Sequence, residues 1–327
     1  MQTLTLYLIP FLRAVSVMAF AGFILSRFLE HLPPSLHWMK KYLFRSGGVF
    51  LITVFCLSVV YDAHLVIDRS LGLLLFGVLT LLVFGVADDI LKFPWHTQLL
   101  FQLLLVTFIF SFGIAVHTLV LPVFGTMHIA SSVLSYLVTV VWLVVIMNAV
   151  NWTDGVDGVA GGVSVIGFFT IFLLALRPEV YQPPVAILAL IATGVTLGFL
   201  FFNFSPAKFI AGTSGSYFWG FLLGVLAIFA GTKIATTLLV LSIPLIDALW
   251  VVVKRFRSGV SIFHGDQHFH LHFRLRERGW SDRRIALAYI LISALLGGVA
   301  SFGSSLQKVI IFLAVFVVSG VIFLVKK

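Results

Sequence analysis

Four polar segments interrupt an otherwise apolar chain, and each carries residue types suited to chemistry on phosphates. The richest runs Asn148-Ala149-Val150-Asn151-Trp152-Thr153-Asp154-Gly155-Val156-Asp157-Gly158. Two amides and two carboxylates fall within eleven residues, beside glycines that let the backbone approach a ligand closely. Oxygen ligands of this kind suit a hard cation such as Mg²⁺, which keeps waters and also takes substrate phosphates. The segment is not an EF-hand, because the bidentate Glu at the loop end is missing. A plain turn explains Asp-Gly but not two Asn and two Asp in this order.

The other segments are less specific alone. Gly85-Val86-Ala87-Asp88-Asp89 ends an apolar run with adjacent carboxylates. Like charges this close raise one pKa, as a base or cation site requires; a solvated loop start is the alternative. Asn203-Phe204-Ser205-Pro206-Ala207-Lys208 precedes Gly212-Thr213-Ser214-Gly215-Ser216. Gly and Ser leading into a helix can present N–H groups to a phosphate, although an ordinary cap explains them equally. The stretch from His264 to Arg278 holds His264, His268, His270 and His272 with Arg274, Arg276 and Arg278. Zinc is disfavoured because no Cys or Glu completes a site within the motif, so His and Arg read better as anion partners. A basic helix lying on anionic lipid fits Arg274–Arg284 but leaves the histidines unexplained. Asp247 lies inside an apolar stretch, where a charge needs a partner and nearby Pro244 can break the helix.

The elements that must hold these groups are membrane helices. Of 327 residues, 61% are hydrophobic and 10% charged, and the mean hydropathy is +1.14. Soluble domains average about 45–50% apolar and about 25% charged, which excludes a cytosolic enzyme, a secreted disulfide scaffold and a disordered chain. The lone Cys56 allows no internal disulfide. Strands of a β-barrel would alternate in hydropathy, and these apolar blocks do not. A crossing helix needs about 20 apolar residues. Eleven stretches qualify, near 4–28, 48–67, 70–87, 98–116, 132–149, 159–176, 184–203, 215–231, 233–253, 285–303 and 307–325. Closely spaced pairs among them can also be read as one broken helix. The first stretch contains Ala19-Phe20-Ala21 but no positive segment before it, and reads as a retained anchor. With the N-terminus outside, sixteen Lys and Arg fall on the inner side against four outside. That bias makes the inner side cytoplasmic and puts all four polar segments there. The net charge of +9 then faces anionic lipid or substrate, not nucleic acid. The expected fold is an all-α polytopic membrane protein of about eleven spans with a cytoplasmic C-terminus. It forms one domain over 1–327, with a His/Arg-rich cytoplasmic loop at about 254–284.

Together the segments resemble the polyprenyl-phosphate N-acetylhexosamine-1-phosphate transferases. Asp88-Asp89 matches that family's Asp-Asp motif. Asn148, Asn151, Asp154, Gly155, Asp157 and Gly158 match Asn-x-x-Asn-x-x-Asp-Gly-x-Asp-Gly, which is highly specific. Asn203, Pro206 and Ala207 match Asn-x-x-Pro-Ala; Pro244 and Asp247 match Pro-x-x-Asp. His270-Leu271-His272 matches most of His-x-His-His, with Phe273 in the last place. Two further departures are Thr213 where the family has a metal-ligating Asp, and a first cytoplasmic loop in which only His37, Lys40, Lys41, Arg45 and Gly47-Gly48 match. The resemblance implies transfer of N-acetylhexosamine-1-phosphate, GlcNAc-1-phosphate in the first instance, from a UDP-sugar to polyprenyl phosphate. It gives polyprenyl-diphosphate-sugar and UMP, a first membrane step of a cell-envelope glycan. It further implies Mg²⁺ (Mn²⁺ as an alternative), UDP-N-acetylhexosamine, polyprenyl phosphate and membrane lipid as partners, and a homodimer as a candidate assembly. On this basis Asp88 is expected as base or aligner of the lipid phosphate, with Asp89 beside it. Asn151 and Asp154 are expected at the metal, with Asp154 also catalytic and Thr213 at the old ligand position. Asn148, His268, His270, His272 and Arg274 are expected on substrate, with Asp157 and Gly158 bordering the uridine. A covalent intermediate and direct transfer both stay open. Two other classes, a non-catalytic binder of the same ligands and a transporter, are weighed as well. A transporter calls for polar groups at mid-depth on both sides and repeat symmetry, which are not seen.

Overall fold

A computed structural model of the protein describes residues 2–121, 125–231, 234–259 and 269–324. The chain runs α1 (Gln2–His31), a 3-10 turn (Pro34–Leu36), α2 (His37–Phe44), α3 (Gly47–Val60), α4 (Arg69–Leu91) and α5 (Trp95–Ser111). A hairpin of β1 (Thr118–Leu121) and β2 (Gly125–His128) follows, then α6 (Ser132–Thr153), α7 (Val159–Ala175), α8 (Pro183–Asn203) and α9 (Gly212–Phe229). The last elements are α10 (Ile234–Val240), α11 (Ser242–Arg257), α12 (Leu271–Glu277), α13 (Asp282–Phe302) and α14 (Ser305–Leu324).

All eleven apolar stretches fold as helix, but not all to spanning length. Among the described residues, helices α1, α4, α6, α8, α9 and α13 are long and apolar enough to cross a bilayer, and the count is seven if the pair α10 and α11 is one span. Helices α3, α5, α7 and the Leu306–Gly320 part of α14 are apolar but shorter. The stretch at 48–67 shows why: Asp62 accepts from the His64 N–H at 3.0 Å and turns the chain before the apolar run ends. At 14 residues α3 reaches only about 21 Å. The hairpin lies between the apolar stretches at 98–116 and 132–149; its strands are antiparallel, with Thr118 opposite His128.

Helix α9 is the central pillar, 94% buried over its apolar window, with α3, α4, α6 and α7 packed around it. Lipid tails are as apolar as Leu, so close backbone packing is what holds such helices together. Gly220 of α9 lies so near α6 that a Cβ would come within 2.6 Å of the Met147 Cα. Gly85 of α4 rests directly on the Ser214 backbone, which brings the end of α4 against the start of α9. Gly85→Val is expected to destabilise the fold by about 1–3 kcal/mol through overpacking. Thermal unfolding in detergent reads this, and an unshifted midpoint would contradict the packing.

Helices α10 and α11 meet at 79°. Pro244 has no N–H for the Val240 carbonyl, and its ring crowds that group, so the helix breaks there. The bend carries α11 alongside α6 and leaves a cavity between them.

Candidate active site

The cavity has a volume of about 770 Å³ and lies between α5, α6 and α11. Leu99, Val144, Val145, Leu245, Leu249 and Val252 make its apolar walls. Gln98, Asn148, Asn151, Asp154, Arg255 and His270 are its polar lining. Trp152 and Phe273 line it as well.

The end of α6 supplies three of these groups, because Asn148, Asn151 and Asp154 are spaced by three and share a face. Asn148 donates from Nδ2 to Gln102 Oε1 at 2.7 Å, which fixes its amide. Asn151 donates from Nδ2 to Ser216 Oγ at 2.8 Å, leaving its Oδ1 for a ligand. Asp154 caps α6, and among the described residues its carboxylate has no hydrogen-bond or ion-pair partner. Burial of the carboxylate pushes its pKa up to about 8, with Asp89 and Asp157 adding to the rise and Arg45 opposing it. The residue still reaches the cavity surface.

Asp88 and Asp89 stand behind this wall, buried and saturated with donors. Asp88 Oδ1 accepts from the Phe93 N–H at 3.1 Å and from Gln98 Nε2 at 3.0 Å. Its Oδ2 accepts from Thr213 Oγ1 at 2.7 Å. Asp89 Oδ2 accepts from the Thr213 N–H at 3.0 Å, and its Oδ1 pairs with Arg45 Nε at 2.9 Å. Thr213 therefore faces both carboxylates, as a hydrogen-bond donor to each. Gly212, at φ +67°, must lack a Cβ because one would strike Asp89 Oδ2.

Asp157 and Gly158 serve a different contact. Asp157 Oδ2 accepts from the Ala207 N–H at 2.9 Å, and the Gly158 N–H donates to Asn203 Oδ1 at 3.1 Å. Asn203 in turn donates to the Phe209 carbonyl at 3.2 Å. These bonds stitch the loop after α6 to the loop after α8. Asp157, Gly158 and Arg274 are not among the residues that line the cavity.

Of the histidines, His270 lines the cavity and His272 does not. The His272 ring is fully buried, stacked on His270 at 5.3 Å between centroids, and neither of its nitrogens has a hydrogen-bond partner among the described residues. Burial pushes its pKa down to about 4 against the pull of Asp247, so the ring is neutral near pH 7. Gly155 packs on it: a Cβ there would lie 2.7 Å from His272 Nε2. His268 lies in 260–268, outside the described residues.

Two participants escape motif reading. Gln98 joins Asp88 to the cavity and also accepts from the Tyr217 hydroxyl at 2.9 Å. Arg255 lines the cavity, and Arg45, already matched in the first loop, pairs with Asp89. The available signal was the pair Gln98 and Gln102, two amides four apart on one face of an apolar helix.

The arrangement is that of a polytopic helical membrane protein with an acidic, amide-rich site opening into an apolar cavity. A family model described as glycosyl transferase family 4 matches residues 71–231, which contain the Asp-Asp pair, the α6 motif and Thr213. Over 283 residues the chain is 32% identical to the phospho-N-acetylmuramoyl-pentapeptide-transferase of Acetivibrio thermocellus, covering 80% of this chain and 82% of that one. The chain belongs to glycosyl transferase family 4. It is 33% identical over 222 residues to a Bacillus subtilis protein named "Probable undecaprenyl-phosphate N-acetylglucosaminyl 1-phosphate transferase". That match covers 66% of this chain and 61% of the Bacillus protein, so it spans about three fifths of that relative's length. It is 29% identical over 300 residues to the decaprenyl-phosphate N-acetylglucosaminephosphotransferase of Mycobacterium tuberculosis, covering 83% of this chain and 71% of that one.

Proposed function

We propose that the protein transfers GlcNAc-1-phosphate from UDP-GlcNAc to undecaprenyl phosphate or a similar polyprenyl phosphate. A lipid phosphate oxygen attacks the β-phosphorus, the bond from that phosphorus to the α-phosphate oxygen breaks, and UMP leaves. One observation carries this reading: a single cavity is lined both by apolar side chains, suited to a prenyl chain, and by amide, carboxylate, Arg and His side chains suited to a diphosphate. The names of the Bacillus and Mycobacterium relatives support GlcNAc as the sugar. We place the site on the cytoplasmic face of the cell membrane, with eleven spans and the N-terminus outside, on the strength of the basic-residue bias.

The donor set fits a hard divalent cation. Asp154 offers a carboxylate without a hydrogen-bond or ion-pair partner among the described residues, and Asn151 offers an amide oxygen whose nitrogen is already engaged. Mg²⁺ held there would neutralise charge on the diphosphate as the transition state forms. Arg255 and His270 also line the cavity and oppose the remaining phosphate charge. Asp88 carries three donors on its carboxylate, which favours aligning over proton abstraction. It holds Gln98 against the cavity and Thr213 against Asp89. Positioning and electrostatics then supply most of the rate.

Purified protein in lipid, given undecaprenyl phosphate and radiolabelled UDP-GlcNAc, is expected to move label into the lipid phase with Mg²⁺ and to stop on chelation. No lipid-phase label with any UDP-N-acetylhexosamine would overturn the reading. Ala248→Trp, which fills the apolar wall, is expected to raise KM for the lipid about 10-fold or more while leaving KM for UDP-GlcNAc unchanged. Equal rises in both would place the prenyl chain elsewhere.

A further inference from the structure

Asp247 is a carboxylate 2% exposed in the middle of an otherwise apolar helix segment, and both of its oxygens are used by the next element of the chain. Oδ1 accepts from the Leu271 N–H at 2.7 Å. Oδ2 lies 2.8 Å from His270 Nδ1. The first bond latches the start of α12 to α11. The second governs chemistry, because the two nitrogens of an imidazole are not equivalent: the hydrogen bond made by one sets the protonation of the other.

An ionised carboxylate only accepts, so Nδ1 must carry the hydrogen. His270 is 6% exposed and lines the cavity, and with Nδ1 committed, Nε2 is the nitrogen left for an occupant. The ring is further confined by Trp152 at 6.1 Å and His272 at 5.3 Å between centroids.

We infer that Asp247 is a positioning residue: it holds His270 with Nδ1 protonated and so presents Nε2 to the diphosphate in the cavity. The inference rests on the transferase reading for its occupant, but the tautomer is a property of the protein alone.

Asp247→Asn separates this role from the latch. The amide oxygen still accepts from Leu271, so α12 stays docked. The amide nitrogen then faces His270 Nδ1 and donates to it, which forces the hydrogen to Nε2. The test is ¹⁵N spectroscopy on protein labelled at histidine and held in lipid nanodiscs, with the His270 signals assigned by their loss in His270→Gln. Wild type is expected to show Nδ1 protonated and Asp247→Asn to show Nε2 protonated. In the transfer assay Asp247→Asn is expected to lower kcat about 10- to 100-fold with KM for UDP-GlcNAc within about 3-fold. Asp247→Asn combined with His270→Gln is expected to be no slower than His270→Gln alone, because one residue acts through the other.

Nε2 protonated on His270 of the wild type, or losses that multiply in the double variant, overturns the positioning role. The wild-type spectrum decides this even if Asp247→Asn does not fold. A wild type without transfer activity overturns the transferase reading, and that failure shows in the assay while the spectrum is unaffected.

Discussion

Asp154→Asn is expected to lower kcat by about 10³-fold while leaving the thermal midpoint unchanged or raised. The two effects have opposite signs for one reason. The carboxylate stands on the cavity wall without a protein partner among the described residues, and burial holds its pKa up at about 8. Arg45 offsets only part of that cost, so the neutral amide of the same shape relieves the folded state. The same absence of a partner is what lets the group engage a cation. An amide there weakens the cation at the point where negative charge develops, and contributions of this kind are worth about 10²–10³-fold or more. Such an exchange of stability for activity is common where a site must hold charge ready for a ligand. Rate measured at saturating Mg²⁺ and both substrates, beside a melting curve, checks both signs. A variant that melts lower and retains its rate would mean that Asp154 is structural.

Asp88→Asn is expected to lower kcat by about 10²-fold with little loss of stability. The geometry predicts how the amide sits. Its oxygen must stay toward the Phe93 N–H and Gln98 Nε2, since a nitrogen there would set donor against donor. Its nitrogen therefore faces Thr213 Oγ1, a hydroxyl that can turn and accept. Every partner is still satisfied and only the charge is lost. Asp88→Ala is expected to behave differently, because it orphans the Phe93 N–H and the Thr213 hydroxyl at once, at about 1–3 kcal/mol for each buried group, while Gln98 Nε2 keeps the Phe93 carbonyl. A melting curve on both variants, with kcat on the first, separates charge from scaffold. If Asp88→Asn keeps its rate, the alignment through Gln98 needs no charge at Asp88.

The polar centre was legible where its residues are contiguous. Asn148, Asn151 and Asp154 share a helix face because their spacing is three, and the structure puts all three in the lining of the cavity. Adjacency likewise marked Asp88 and Asp89, but it could not tell that both would sit behind the wall, filled by Thr213, Gln98 and Arg45. Sequence proximity did not reveal that Asp157 and Gly158, in the same motif, bond to the loop after α8. The partner of Asp247 was hidden for another reason: its oxygens meet a residue 23 positions away, after the chain has left α11. That partner also bears on zinc, which the motif disfavoured for lack of a Cys or Glu: Asp247, His270 and His272 are three buried groups with ligand atoms within 4.8 Å of one another. The bend before α11 was foreshadowed by Pro244, since a missing N–H acts locally. Helix lengths were not, because hydropathy reports where a chain is apolar and not where a side chain such as Asp62 turns it.

The central claim is that phosphate travels with the sugar, and the fate of the β-phosphorus tests it most directly. UDP-GlcNAc labelled with ³²P at the β position, incubated with the protein, Mg²⁺ and undecaprenyl phosphate, is predicted to deliver the label to the lipid phase. UMP is predicted to appear in the aqueous phase in equal amount, and Asp154→Asn to abolish both. Label remaining in water as UDP while sugar enters the lipid would show transfer of the sugar alone and contradict the account.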